Sequence, residues 1–182
     1  MSKPLGKQEW IGAGLKALAA GGVEAVRVEK IAQALQITKG SFYWHFADRG
    51  TLLEALLDAW KARSTGDVIA EVEKRGGDAR TRLRALFSIT FDSDGRLDRA
   101  IREWAGRDAL ALAAQEQIDS RRISYVAALF GELGFAPAEA KARARFAYHA
   151  LIGQFTLASR AGTRQKPNEE FEAIFAMLTR NR

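Results

Sequence analysis

Lys39, Tyr43, Trp44 and His45 bring an ammonium, a phenol, an indole and an imidazole into one short stretch of the chain. Each can donate a hydrogen bond. Lys39 carries a fixed positive charge. Such a set suits phosphate oxygens and the acceptor edges of bases, where Lys39 can meet a guanine or a phosphate and Tyr43 and His45 can hold phosphates. Gly40 and Ser41 between them are small, so the backbone can come close to a groove. Covalent chemistry is a poor fit. There is no cysteine, and no nucleophile elbow or phosphate loop occurs. The second histidine, His149, lies far along the chain and reads as a packed or interface residue. No metal site and no cofactor are expected. Asp92, Asp94 and Gly95 lack the full spacing of a calcium loop and read as a turn.

Those side chains need a support that points them outward together. Val28, Ile31, Ala32 and Leu35 recur at helical spacing, so a short helix is expected over 28–35. Gln36-Ile37 makes a tight connection. Thr38 is placed to cap a third short helix through Phe46, its hydroxyl accepting a free backbone N–H. In that helix Phe42 and Phe46, at i and i+4, face the core, which leaves Lys39, Ser41, Tyr43, Trp44 and His45 outward or sideways. Two short helices joined in this way form a helix-turn-helix, whose second helix fits a DNA major groove.

The remainder also reads as helix. Three prolines, at 4, 137 and 167, stand at expected helix starts or in loose chain, and no run alternates as a strand would. Helices are expected over 7–20, 49–73, 79–91, 97–105, 109–133, 137–160 and 168–180, about nine in all with the two above. Gly21-Gly22, Gly76-Gly77 and Gly134 end three of them. The fold class is therefore all-α: an N-terminal three-helix domain, residues 1–48, followed by a helical bundle, residues 49–182. A chain of 182 residues can bury a core without staples. The first residues have no apolar run behind their lysines, so no signal peptide is expected. The longest apolar runs are about six residues, far below the roughly 18 of a membrane span. With no cysteine, a reducing cytoplasm is the expected compartment. The net charge is +6, and half of it falls in residues 1–47, which favours a polyanionic partner for that end.

Ile31-Ala32, the run Ile37-Thr38-Lys39-Gly40-Ser41-Phe42-Tyr43-Trp44-His45-Phe46, then Arg49 and Leu52-Leu53-Glu54-Ala55 are similar to the TetR family of bacterial transcriptional regulators. The resemblance covers roughly residues 7–60. It implies a homodimer with an N-terminal DNA-binding domain and a C-terminal domain that senses a small-molecule effector. It also implies that Tyr43 and His45 hold phosphates, that Thr38, Lys39, Ser41 and Trp44 face the groove, and that Arg49 touches backbone phosphate. Two positions depart from the pattern. Arg27-Val28 stands where a capping Ser or Thr is usual, and Arg27 would take over its phosphate contact. Gln36 stands where the turn usually has glycine, which costs about 1 kcal/mol if the residue is left-handed.

Trp60, Phe87, Phe91, Trp104, Tyr125 and Phe155 fall on inward helical positions. Each reads singly as core. Together, with Arg122 and Tyr125 as polar handles, they form the candidate effector-binding set for an apolar molecule carrying one anionic or hydroxyl group. Ala140, Ala144, Ala147 and Leu151 make a small-residue stripe on the 137–160 helix. Phe171, Ile174, Phe175 and Leu178 make an apolar stripe on the last one. Two such pairs across a two-fold axis would build a four-helix dimer seam. The expected partners are double-stranded operator DNA, a small-molecule effector and a second copy of the chain, with no membrane. The expected function is a ligand-released repressor on a palindromic operator. The alternatives are an effector-independent regulator or activator, and a small helical ligand carrier or enzyme with an incidental basic end.

Overall fold

The computed structural model describes residues 6–161 and 168–180. Pro4 and Pro167 lie outside the described residues. Nine α-helices and no strand occur among those described: α1 Lys7–Gly21, α2 Val28–Leu35, α3 Arg49–Lys61, α4 Asp67–Arg75, α5 Ala79–Phe91, α6 Arg96–Ala105, α7 Ala109–Glu132, α8 Pro137–Ala161 and α9 Asn168–Thr179. The all-α reading holds, with two differences of detail.

The segment expected as a third short α-helix is a 3₁₀ helix, Lys39–Trp44. Its bonds close over three residues, Ser41 N–H to Thr38 O at 3.1 Å and His45 N–H to Phe42 O at 2.9 Å. Six residues give an α-helix little chance to propagate, and the tighter winding is common in such short pieces. Thr38 takes the N-cap position with extended backbone, but its side chain makes no capping bond. The second difference is in the expected 49–73 helix, which is interrupted by a π-turn at Ala62–Gly66. There the Ser64 hydroxyl takes the Trp60 carbonyl at 2.5 Å, and Gly66 adds little helix propensity.

The chain divides into two compact units: Met1–Ser64 with Arg96–Glu116, and Thr65–Gly95 with Gln117–Arg182. In the first, α1 lies against α2, α3 and α6. Trp10, Ile11, Leu15 and Leu18 fill its centre with Ile31, Phe42, Phe46, Leu52 and Leu56. Gly14 lets α1 approach α3 closely, since a Cβ there would stand 2.8 Å from Leu56 Cδ2. In the second unit the core is built from Val72, Leu83, Phe87, Leu129, Phe130, Ala144, Phe175 and Leu178. Asp48 caps α3 by accepting the Thr51 N–H at 2.7 Å, and Asp78 caps α5 by accepting the Thr81 N–H at 2.8 Å. No described helix is long and apolar enough to cross a membrane.

Candidate nucleic-acid interface

The 3₁₀ segment is held from below by its two phenylalanines. Phe42 and Phe46 are buried and stack on each other at 5.4 Å, while Trp10 meets the edge of Phe42 at 5.2 Å. Each buried ring contributes about 1.5–3 kcal/mol, enough to fix a turn with few backbone bonds of its own. Lys7 Nζ sits 5.3 Å over the Phe46 ring. With the segment pinned on that side, Tyr43 and Trp44 are driven outward, and they are 59% and 87% exposed. Thr38, Lys39 and Gly40 are exposed as well, and His45 is half-buried.

The approach from α2 is fixed by a left-handed residue. Gln36 closes α2 with φ 58° and ψ 40°, and is the sole non-glycine residue with positive φ among the described residues. The Ile37 N–H reaches back to Ala32 O at 3.0 Å and the Gln36 N–H to Gln33 O at 3.1 Å. These bonds satisfy the last carbonyls of α2 and set the angle at which the next segment leaves. Arg27 caps α2 without a side-chain bond to it. Its guanidinium donates instead to the Glu24 carbonyl at 3.1 Å and stays exposed.

Two further expected interface residues are engaged within the chain. Lys39 donates to Glu29 Oε1 at 2.5 Å. Arg49 spends Nε on the Val26 carbonyl at 2.7 Å and Nη2 on the Val23 carbonyl at 2.6 Å, so it ties the start of α3 to the connection between α1 and α2. Ser41 differs from expectation: its Oγ is buried with no hydrogen-bond partner, so the hydroxyl is not turned outward. Arg27, Thr38, Lys39, Gly40, Tyr43, Trp44, His45 and Arg49 all lie in the first unit. Glu29 was not foreseen. An acidic residue on α2 ten positions before a lysine carries no periodic signal, because the pairing depends on the angle set at Gln36.

The expected effector-binding residues are not gathered into one cluster within either unit. Trp60 and Trp104 belong to the first, and the indole N–H of Trp60 donates to Asp98 at 3.4 Å. Phe87, Phe91, Arg122, Tyr125 and Phe155 belong to the second. There Phe87 meets the edge of Phe175 at 6.0 Å and Phe91 that of Phe171 at 5.9 Å. Phe155 is buried over Gly95. Tyr125 points its hydroxyl at Glu73, 2.5 Å away. Burial and that neighbouring carboxylate raise the phenol above its ordinary value, and the phenol's hydrogen bond lowers Glu73. Arg122 donates to Thr65 Oγ1 at 2.9 Å and reaches Tyr148 at 3.5 Å, while Tyr148 donates to Asp119 at 2.6 Å. The aromatic positions are inward as read, but these three phenylalanine rings pack in the core. The polar set around Arg122 was legible only at Arg122 itself.

The stripe expected at a dimer seam is covered by its own chain. Ala144, Phe175 and Leu178 are buried in the second unit's core, and Ala147, Phe171 and Ile174 pack on it. Leu151 is half-buried. The arginines of α5 explain how a terminal helix finds cover: Arg84 lies 4.7 Å over the Phe175 ring and pairs with Glu172, and Arg80 donates to Thr179 at 2.9 Å. The exposed apolar residues on these helices are others, Phe146 and Leu157 on α8 and Met177 on α9.

A short helix and a 3₁₀ turn pinned on Trp10, with aromatic and basic groups outward, form a helix-turn-helix. Residues 11–56 match the family model for bacterial regulatory proteins of the tetR family. The fold is similar to that of E. coli NemR in its reduced form, at 16% identity over 94% of this chain and 95% of that one, with a TM-score of 0.77. It is similar also to a TetR transcriptional regulator from Legionella pneumophila, at 15% identity over 98% and 97%, TM-score 0.75. A third is the regulator FadR from Bacillus subtilis in complex with stearoyl-CoA, at 13% identity over 94% and 97%, TM-score 0.70. No curated protein sequence matches the chain.

Proposed function

We propose that this chain is a ligand-released repressor, gripping a near-palindromic operator as a homodimer and leaving it when a small molecule binds. Residues 1–48 read the DNA, and residues 49–182 sense the effector and dimerise. The observation that carries the DNA reading is the exposure of Tyr43 and Trp44 on a segment whose other face is locked by Phe42 and Phe46. Keeping large rings in water forgoes about 25 cal/mol for each Å² left uncovered, and a groove lined with phosphates and base edges covers them. Two such segments in a dimer would enter successive major grooves about 34–36 Å apart.

Release follows from a chain of contacts. Thr65 lies in the π-turn that continues α3, and it accepts from Arg122. α3 in turn holds the α1–α2 connection through Arg49. An effector with an anionic group that draws Arg122 away would loosen the π-turn, and a shift of α3 would carry the connection with it. The effector acts only through its differential affinity for the two states. The stearoyl-CoA held by the B. subtilis regulator makes an acyl-CoA the first effector to try.

The dimer is supported by Phe146, Ala150, Gly153 and Leu157, which succeed one another at steps of four, three and four along α8 and form one stripe. Phe146 and Leu157 are more than half exposed. The test is a gel-shift series of the whole chain on the duplex upstream of its own gene, at rising salt and then with stearoyl-CoA. The expected result is salt-dependent retardation that acyl-CoA reverses. Absence of any shift at low ionic strength refutes the DNA reading. A shift that persists with every effector tried supports the constitutive alternative.

A further inference from the structure

Glu29 stands among the residues assigned to DNA, yet it carries the charge that DNA repels. It lies on the first turn of α2, and its carboxylate accepts from Lys39 Nζ at 2.5 Å, with the two side chains 63% and 50% exposed. Arg27 and Lys39 both act on Glu29, and Tyr43 acts on Lys39, so the pair sits inside the expected interface.

We propose that Glu29 is a specificity-determining residue that suppresses backbone binding by Lys39 and, paired with it, reads one G·C base pair in each half-site. The proposal rests on the DNA-binding reading above. A lysine already neutralised by a carboxylate releases no net counterion when it meets a phosphate, and the carboxylate it leaves behind is repelled by the same strand. Non-specific docking is therefore penalised at this position. A G·C pair removes the penalty, because its major-groove edge presents guanine O6 and N7 as acceptors beside the cytosine N4 donor. Lys39 donates to the first and Glu29 accepts from the second. An A·T pair differs in that thymine O4, an acceptor that repels the carboxylate, follows its adenine N6 donor, and a bare phosphate run offers no donor at all. The pair favours both charged forms: the hydrogen bond to Lys39 holds the Glu29 carboxyl below its ordinary value, and the bond to Glu29 raises the lysine.

The experiment compares wild type, Glu29→Gln and Lys39→Gln on a mixed-sequence duplex across a salt series, with half-site preferences selected from a random duplex library. Glu29→Gln is expected to steepen the salt slope by about 0.9, one more phosphate neutralised, which is worth about eightfold in non-specific affinity between roughly 1 M and 0.1 M salt. One position of each half-site should lose its G·C preference. Lys39→Gln should lose the same preference while leaving the slope nearly as in wild type. If Glu29→Gln binds the mixed duplex with wild-type slope and affinity, or if selection keeps the G·C position, the inference fails while the DNA reading stands. If wild type binds no duplex at all, the DNA reading fails and the inference with it.

Discussion

Gln36 holds a left-handed backbone with a side chain attached, and nothing bonded to that side chain repays the strain. Gln36→Gly is expected to stabilise the chain by ~0.5–1 kcal/mol, the relief of the Cβ clash less the entropy a glycine loses on folding. Thermal unfolding would register it as a rise of a few degrees. Ser41 presents a second residue-scale case. A buried hydroxyl without a partner costs about 1–3 kcal/mol, so Ser41→Ala should be neutral or stabilising in unfolding. If it also leaves duplex affinity unchanged, Ser41 has no groove role. Tyr43→Phe and His45→Ala, by contrast, should weaken binding to every sequence alike, as lost phosphate contacts do. The cost at Gln36 was legible from the residue type in a turn. The fate of the Ser41 hydroxyl was not, because it depends on whether six residues wind as α or 3₁₀, which propensity does not decide.

Two helix starts contribute to the chain's acid sensitivity. In the folded state Asp48 is lowered from its ordinary value of 3.8 by the Thr51 backbone N–H, and Asp78 by the Thr81 hydroxyl. Each cap therefore contributes in full above that value and is lost as pH falls through the lower, folded one. Asp48→Asn keeps a good cap that does not titrate, so its acid-unfolding curve should be flatter than wild type below that pH. The turn before α6 tests packing instead. Gly95 has φ 62°, and a Cβ there would lie 2.2 Å from Phe155 Cγ. Gly95→Ala should cost about 3 kcal/mol or more from backbone strain and displaced ring together. In α7, Gly131 faces open space, and Gly131→Ala should gain about 1 kcal/mol. Both are read by chemical denaturation. Most helix spans were legible from apolar spacing and glycine stops. The break at Ala62–Gly66 was not foreseen, although Ser64-Thr65-Gly66 held its signal: a hydroxyl that competes for Trp60's carbonyl, followed by the weakest helix former short of proline.

For the whole molecule, the decisive surface is the one left apolar. Phe146→Glu with Leu157→Glu places carboxylates on the outer stripe of α8 and touches none of the buried core. Sedimentation should then report a folded monomer, and operator affinity should fall by orders of magnitude, since each half-site alone holds weakly. The small-residue stripe on the other side of α8 is covered by its own chain, since periodicity identifies an apolar face without saying where its cover comes from. The expected effector set is divided for a related reason: inward position does not tell which core a ring joins, and Trp60 and Trp104 join the first unit while Phe87 and Phe155 join the second. Of the four indoles in the chain, Trp10, Trp60 and Trp104 are shielded and Trp44 is bare. The protein thus carries its own optical reporter. Iodide should quench only the red-shifted part of the emission, and a duplex that seats Trp44 should abolish that quenching, so that occupancy can be followed by fluorescence with no label attached.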